Sequence, residues 1–175
     1  MKERVEVLIS EADVDRKIEE IGKKITEDYA GKSVHVICVL KGGAFFMCEL
    51  AKRIEVPVSM DFMAVSSYGS GTESSGSIKM IKDLDESIEG KDVLIVEDIV
   101  DSGRTLSKLI ELLKTRKPAS MKVCTLLDKP DRRVVDVHVD YTCFAIPDEF
   151  VVGYGLDYDQ KYRNLPYLGV VKFED

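Results

Sequence analysis

Three nearly continuous apolar runs, Val34–Leu40, Val93–Val96 and Met121–Leu127, are interleaved with helical patterns, and no other feature of the chain limits its fold so tightly. Strands that are apolar on both faces need cover on both faces, which is how parallel sheets are built. The first run leads through Gly42-Gly43 into a helical segment, Ala44–Ile54, and the second turns at Gly103 into another, Thr105–Thr115. Upstream, Ser10 and Asp13 form a weak variant of a capping box. Val14, Ile18, Ile21 and Ile25 then recur three and four residues apart, along one face of a helix. Further strands are expected at Val5–Ile9, Val58–Ser66, Ser77–Lys82, Tyr141–Ala145, Val151–Tyr154 and Leu168–Phe173, with a Gly/Ser-rich loop over 68–76. The strand–helix–strand order predicts an α/β fold, a central parallel sheet flanked by helices on both faces. A chain of 175 residues without repeats or a long linker reads as a single domain, 1–175.

Charge excludes several functions. Asp and Glu number 32 against 25 Lys and Arg, a net charge of -7, so the basic footprint of a nucleic-acid binder is missing. No run approaches the ~20 apolar residues of a membrane span, and the opening MKERVEVLISEAD is charged where a secretory signal would be apolar. Neither a membrane nor a nucleic-acid partner is expected, and the predicted location is cytoplasmic. Cys38, Cys48, Cys124 and Cys143 form no C-x-x-C pair and sit in strand or helix patterns, which predicts buried free thiols. His35 and His138 lie in strand patterns with no ligand at zinc spacing.

In open α/β sheets ligands bind beyond the carboxyl ends of the strands. The most informative such end is VLIVEDIVDSGRTL, Val93–Leu106. Glu97 and Asp98 stand where the strand emerges, and Asp101-Ser102-Gly103-Arg104-Thr105 turns into a helix. Gly103 permits a tight turn, the helix start offers N–H groups to an anion, and Ser102 and Thr105 add hydroxyls. Three carboxylates beside an anion nest would repel a phosphate ligand unless a divalent cation joins them; Mg²⁺ suits one or two carboxylates plus ligand oxygens. An acidic cap on the helix dipole is the plainer alternative.

This stretch resembles the phosphoribosyl pyrophosphate signature of the type I phosphoribosyltransferases, and it lacks both the P-loop and the dinucleotide patterns. Leu40-Lys41-Gly42-Gly43 resembles the family's pyrophosphate loop, where the Leu–Lys bond can be cis. Ser67-Tyr68 resembles the start of the mobile lid of the six-oxopurine branch, over about 67–76. Lys129 and IPDEFVVGYGLD, Ile146–Asp157, resemble the base-binding region of that branch. The resemblance runs from about Val5 to Phe173. It implies the type I phosphoribosyltransferase fold, with a small hood formed from the chain ends (about 146–175 with the N-terminal strand).

The resemblance also implies roles. Asp101 would be the general base. Glu97, Asp98, Asp101, Ser102, Gly103, Arg104 and Thr105 would hold the phosphoribosyl group and its 5′-phosphate. Lys41, Gly42 and Arg163 would hold pyrophosphate. Lys129, Phe150, Val151 and Asp157 would bind the purine, and Glu97, Asp98 and Asp157 would serve Mg²⁺. The implied substrates are hypoxanthine, guanine and phosphoribosyl pyrophosphate, in a homo-oligomer, dimer or tetramer. A xanthine-preferring transferase and an RNA-binding regulator of the same fold are the alternatives, the latter opposed by the short basic clusters.

Overall fold

Ser10 caps the first helix by accepting the Asp13 N–H at 3.2 Å, and the stripe behind it, Val14, Ile18, Ile21 and Ile25, is buried. In a computed structural model, which describes residues 2–67 and 77–175, strand β1 (Lys2–Ile9) precedes this helix, α1 (Glu11–Asp28). There follow β2 (Val34–Val39), α2 (Ala44–Ala51), β3 (Val58–Ser67), β4 (Ile78–Lys82), β5 (Asp92–Val100), α3 (Arg104–Lys114) and β6 (Ser120–Asp128). A 3₁₀ turn (Pro130–Arg132), β7 (Tyr141–Ala145), β8 (Val151–Val152) and β9 (Leu168–Glu174) complete the described chain.

The main sheet has the order β4-β3-β2-β5-β6-β7. Its β3-β2-β5-β6-β7 portion is parallel, whereas β4 joins β3 antiparallel, so the expected parallel sheet carries one reversed edge strand. Alternate residues of the central strands feed two cores. Val36, Cys38, Leu94 and Val96 pack with α1 and α2, while Ile37, Val93 and Ile95 pack with Leu106, Leu109 and Leu113 of α3. Helices thus cover both faces, as the doubly apolar strands require. A second, three-stranded antiparallel sheet, β1-β9-β8, joins residues distant in sequence, with Val5 opposite Val171 and Val151 opposite Val170.

Four expectations need correction. The strand expected to end at Val96 continues to Val100, because β6 goes on pairing with it (Glu97 opposite Thr125, Val100 opposite Asp128), so the two acids lie inside the strand. Helix α2 stops at Ala51 rather than Ile54, and the β8 ladder at Val152 rather than Tyr154. All four cysteines are free, and Cys38, Cys124 and Cys143 are buried as expected, but Cys48 faces outward on α2.

Candidate active site

The last residues of β5 and the turn behind them build the first wall. Glu97, Asp101, Ser102, Gly103 and Thr105 line one cavity of about 230 Å³. Gly103 has φ 84°, in the left-handed region, and turns the chain into α3, where Ser102 Oγ accepts the Arg104 N–H at 3.3 Å. A side chain there would also press on the Val135 carbonyl. That carbonyl belongs to a strut: Val134 and Val135 N–H both donate to the Ser102 carbonyl (2.9 and 3.1 Å), and Arg133 Nε donates to the Asp101 carbonyl at 3.2 Å. Arg133 also pairs with Asp128 at the end of β6. The phosphate-binding candidate loop is therefore held from outside by the segment that follows β6.

The second wall is the turn after β2. The Leu40–Lys41 peptide bond is cis. Gly42 lies so close to the Asp98 carboxylate that a Cβ would overlap it, and a Cβ on Gly155 would overlap the Gly42 carbonyl. Three segments distant in sequence, at 42, 98 and 155, thus meet at one point. Arg163 adds a fourth: it donates to the Gly155 carbonyl at 2.7 Å and pairs with Asp157 at 3.3 Å. Asp157 also accepts the Gln160 N–H at 2.8 Å. Lys41 is exposed at the rim.

Burial holds the Glu97 carboxyl well above the ordinary carboxylate range, and the adjoining Asp98 charge adds to the rise. Burial raises Asp98 too, opposed by N–H groups, chiefly that of Ile99, and by the Arg163 cation, and reinforced by Asp157. Two neighbouring carboxylates costly to ionise are a donor set that suits a hard divalent cation. Among the described residues no three His, Cys, Asp or Glu side chains gather into a metal cage. The residues present fit a Mg²⁺ that shares its coordination with substrate oxygens and water.

The third wall lies toward the small sheet. Lys129, at the start of the 3₁₀ turn, is only 8% exposed, against the plain expectation of a solvated charge. Its ammonium lies 3.6 Å from Asp148 Oδ1. Phe150 is 54% exposed, so it is not the core residue an isolated phenylalanine would be, and it stands edge-on to Tyr158 at 5.5 Å. Its carbonyl accepts the Val171 N–H at 3.1 Å, and Val151 lies in β8, an edge strand of the small sheet. Ser67 ends β3, while its side chain and Tyr68 lie outside the described residues, as does the rest of the expected lid.

Sequence reasoning missed four participants: Asp128, Arg132, Arg133 and Asp148. Arg132 Nε donates to Asp101 Oδ1 at 3.1 Å, and its Nη1 lies 3.5 Å from Asp148 Oδ2. The signal was the adjacent Arg132-Arg133 pair just past a strand end, which read as a short basic cluster near acids.

Comparison with known proteins agrees with this geometry. Residues 10–159 match the family described as the phosphoribosyl transferase domain. The chain is 54% identical over 173 residues to a hypoxanthine-guanine phosphoribosyltransferase of Streptococcus thermophilus, covering 99% of this chain and 96% of that one. It is equally 54% identical to the hypoxanthine phosphoribosyltransferase of Salmonella typhimurium, covering 100% and 99%. The crystal structure of a hypoxanthine phosphoribosyltransferase from Staphylococcus aureus superposes with a TM-score of 0.93 at 54% identity, covering 95% and 91%. Because likeness of this extent runs through the main sheet, its carboxyl edge and the small sheet alike, the chain belongs to the phosphoribosyl transferase family, among the hypoxanthine and hypoxanthine-guanine phosphoribosyltransferases.

Proposed function

We propose that this enzyme serves purine salvage, transferring the 5-phosphoribosyl group of phosphoribosyl pyrophosphate to N9 of hypoxanthine, and of guanine, with release of pyrophosphate. The observation that carries this reading is the convergence of the Gly42 and Gly155 backbones with the Asp98 carboxylate, with the buried Lys129 and the glycine-turned start of α3 at the neighbouring strand ends. Each wall suits one part of the two substrates, and no wall suits them all.

Displacement at an anomeric carbon passes through an oxocarbenium-like state, with a leaving group on one side and a nucleophile on the other. On the leaving side, Lys41, the Gly42 N–H and Arg163 would hold pyrophosphate by fixed charges and dipoles. Arg163 is already aimed by the Gly155 carbonyl. Glu97 and Asp98 would orient the ribose hydroxyls and, with Asp157 nearby, hold Mg²⁺. When bound, Mg²⁺ offsets the negative charge of the pyrophosphate and favours its departure. Asp101, Ser102, Gly103, Arg104 and Thr105 would seat the 5′-phosphate.

On the nucleophile side, Asp101 would take the N7 proton as general base, raising the nucleophilicity of N9. Phe150 would stack on the base, Val151 would meet it with main-chain groups, and Asp157 would approach its edge. Lys129, with three donors and no acceptor, would pair with the six-oxo group and reject the six-amino group of adenine. Ser67 and Tyr68 would open a lid that excludes water.

We further propose a homo-oligomer, dimer or tetramer, built on the sheet face that α2 covers. Phe45 (49% exposed), Met60 (52%) and Ile81 (66%) are large apolar residues on that side. Such a cluster suits an isologous contact with a second copy. No described helix is long and apolar enough to cross a membrane, and we propose a cytoplasmic location.

A spectrophotometric assay with phosphoribosyl pyrophosphate, Mg²⁺ and hypoxanthine, guanine, xanthine or adenine tests the reading. Turnover is expected with hypoxanthine and guanine and absent with adenine. No turnover with any six-oxopurine would overturn it.

A further inference from the structure

The proposed chemistry needs an acceptor for the N7 proton and a donor to O6, held a fixed distance apart. These two atoms are neighbours on one edge of a six-oxopurine, the edge guanine shows in the DNA major groove. The groups proposed for the two tasks come from different strand ends: Asp101 follows β5 and Lys129 follows β6. A chain of alternating charges connects them. Asp101 Oδ1 accepts from Arg132 Nε at 3.1 Å, Arg132 Nη1 lies 3.5 Å from Asp148 Oδ2, and Asp148 Oδ1 lies 3.6 Å from Lys129 Nζ.

Resting on the functional reading above, we propose that Arg132 and Asp148 are positioning residues that set the spacing between the general base and the O6 donor, and so help to determine purine specificity. Asp148 divides its two oxygens between two cations, so it fixes Lys129 and Arg132 relative to each other. Both cations sit on one short turn, closed by the Arg132 N–H donating to the Lys129 carbonyl at 3.1 Å. That turn is braced to the phosphate loop through Ser102 and the Asp101 carbonyl. Arg132 occupies one oxygen of Asp101, and Oδ2 has no partner among the described residues, which leaves it for the N7 proton.

The side chains of Arg132 and Asp148 are 52% and 54% exposed. Ion pairs this open contribute little to folding. Their effect is orientation, and variants should fold. Without the Asp148 charge, Arg132 keeps Asp101 as its partner, while Lys129 loses its ion pair and has no other among the described residues. Lys129 then drifts from O6 toward the catalytic carboxylate.

The test is steady-state kinetics of Asp148→Asn, Asp148→Glu, Arg132→Met and the double variant, with KM measured separately for hypoxanthine and phosphoribosyl pyrophosphate. Asp148→Asn should raise the KM for hypoxanthine about 10-fold and relax the rejection of adenine, leaving the KM for phosphoribosyl pyrophosphate within about 2-fold. Asp148→Glu should recover part of the loss. Arg132→Met should lower kcat about 10-fold, and the double variant should lose less than the product of the two single losses, the signature of coupled residues. An Asp148→Asn enzyme with unchanged hypoxanthine KM overturns the proposal, and so does one in which both KM values rise together, the mark of a merely structural role. A wild-type protein inactive with all six-oxopurines defeats the functional reading itself, a result separable from either.

Discussion

Lys129 shows how much one residue's surroundings add to its identity. In sequence it is a lysine after a strand, and such lysines are normally solvated. In the fold it is 8% exposed, and a buried ammonium must find acceptors. Lys129→Ala is expected to raise the KM for hypoxanthine by about 10- to 100-fold, the worth of a hydrogen bond to a charged group, and to narrow the preference over adenine. Unchanged kinetics with both bases would remove it from the purine site. His35 is the opposite case, a buried group away from the chemistry. Its Nδ1 pairs with Ser59 Oγ at 2.6 Å, and its Nε2 is buried with no partner among the described residues. Burial, followed by the Lys91 cation, holds its pKa below the ordinary 6.5. The folded state therefore takes up fewer protons than the unfolded state as pH falls below that value, and stability drops with it. Melting temperatures of the wild type and His35→Gln between about pH 8 and pH 5 should show a smaller acid loss in the variant. Parallel curves would show that His35 does not drive the loss.

At the scale of elements, strand and helix identities were legible because the apolar patterning is unambiguous, down to the Ser10 cap of α1. The ends were less legible. Nothing in the residues after Val96 announces that β5 runs on through two acids to Val100, since only pairing with β6 keeps it extended. The acids of the candidate site were identified, but the Arg132–Asp148 link was not, because it joins a turn and a loop that approach only in three dimensions. In sequence, Lys41-Gly42-Gly43 is a lead from strand to helix and a likeness to a pyrophosphate loop, and neither shows that the Asp98 carboxylate fills the space a Cβ on Gly42 would need. Gly42→Ala should force β2's turn away from β5, costing about 1–3 kcal/mol of stability by urea unfolding and most of the turnover. A variant as stable and active as the wild type would mean that the two segments separate freely.

At the scale of the whole molecule, the sequence dictated the α/β plan and the doubly covered sheet, but assembly depends on surface that patterning cannot assign. Nothing in the residues beside Phe45, Met60 and Ile81 tells an exposed face from a covered one, and all three are exposed in the single chain. Ile81→Glu should shift sedimentation velocity profiles toward the monomer with little change in melting temperature, because Ile81 is two-thirds exposed in the single chain. An unaltered profile would move the interface elsewhere. The small sheet carries a different consequence. Strand β9 lies between β1 and β8, so Phe150 and Val151 take their places only by pairing with residues 170 and 171. On the proposed reading, a ribosome that has passed the candidate phosphate loop has made the proposed sugar site but no floor for the base. Products stalled before β9 are then expected to be blind to purines.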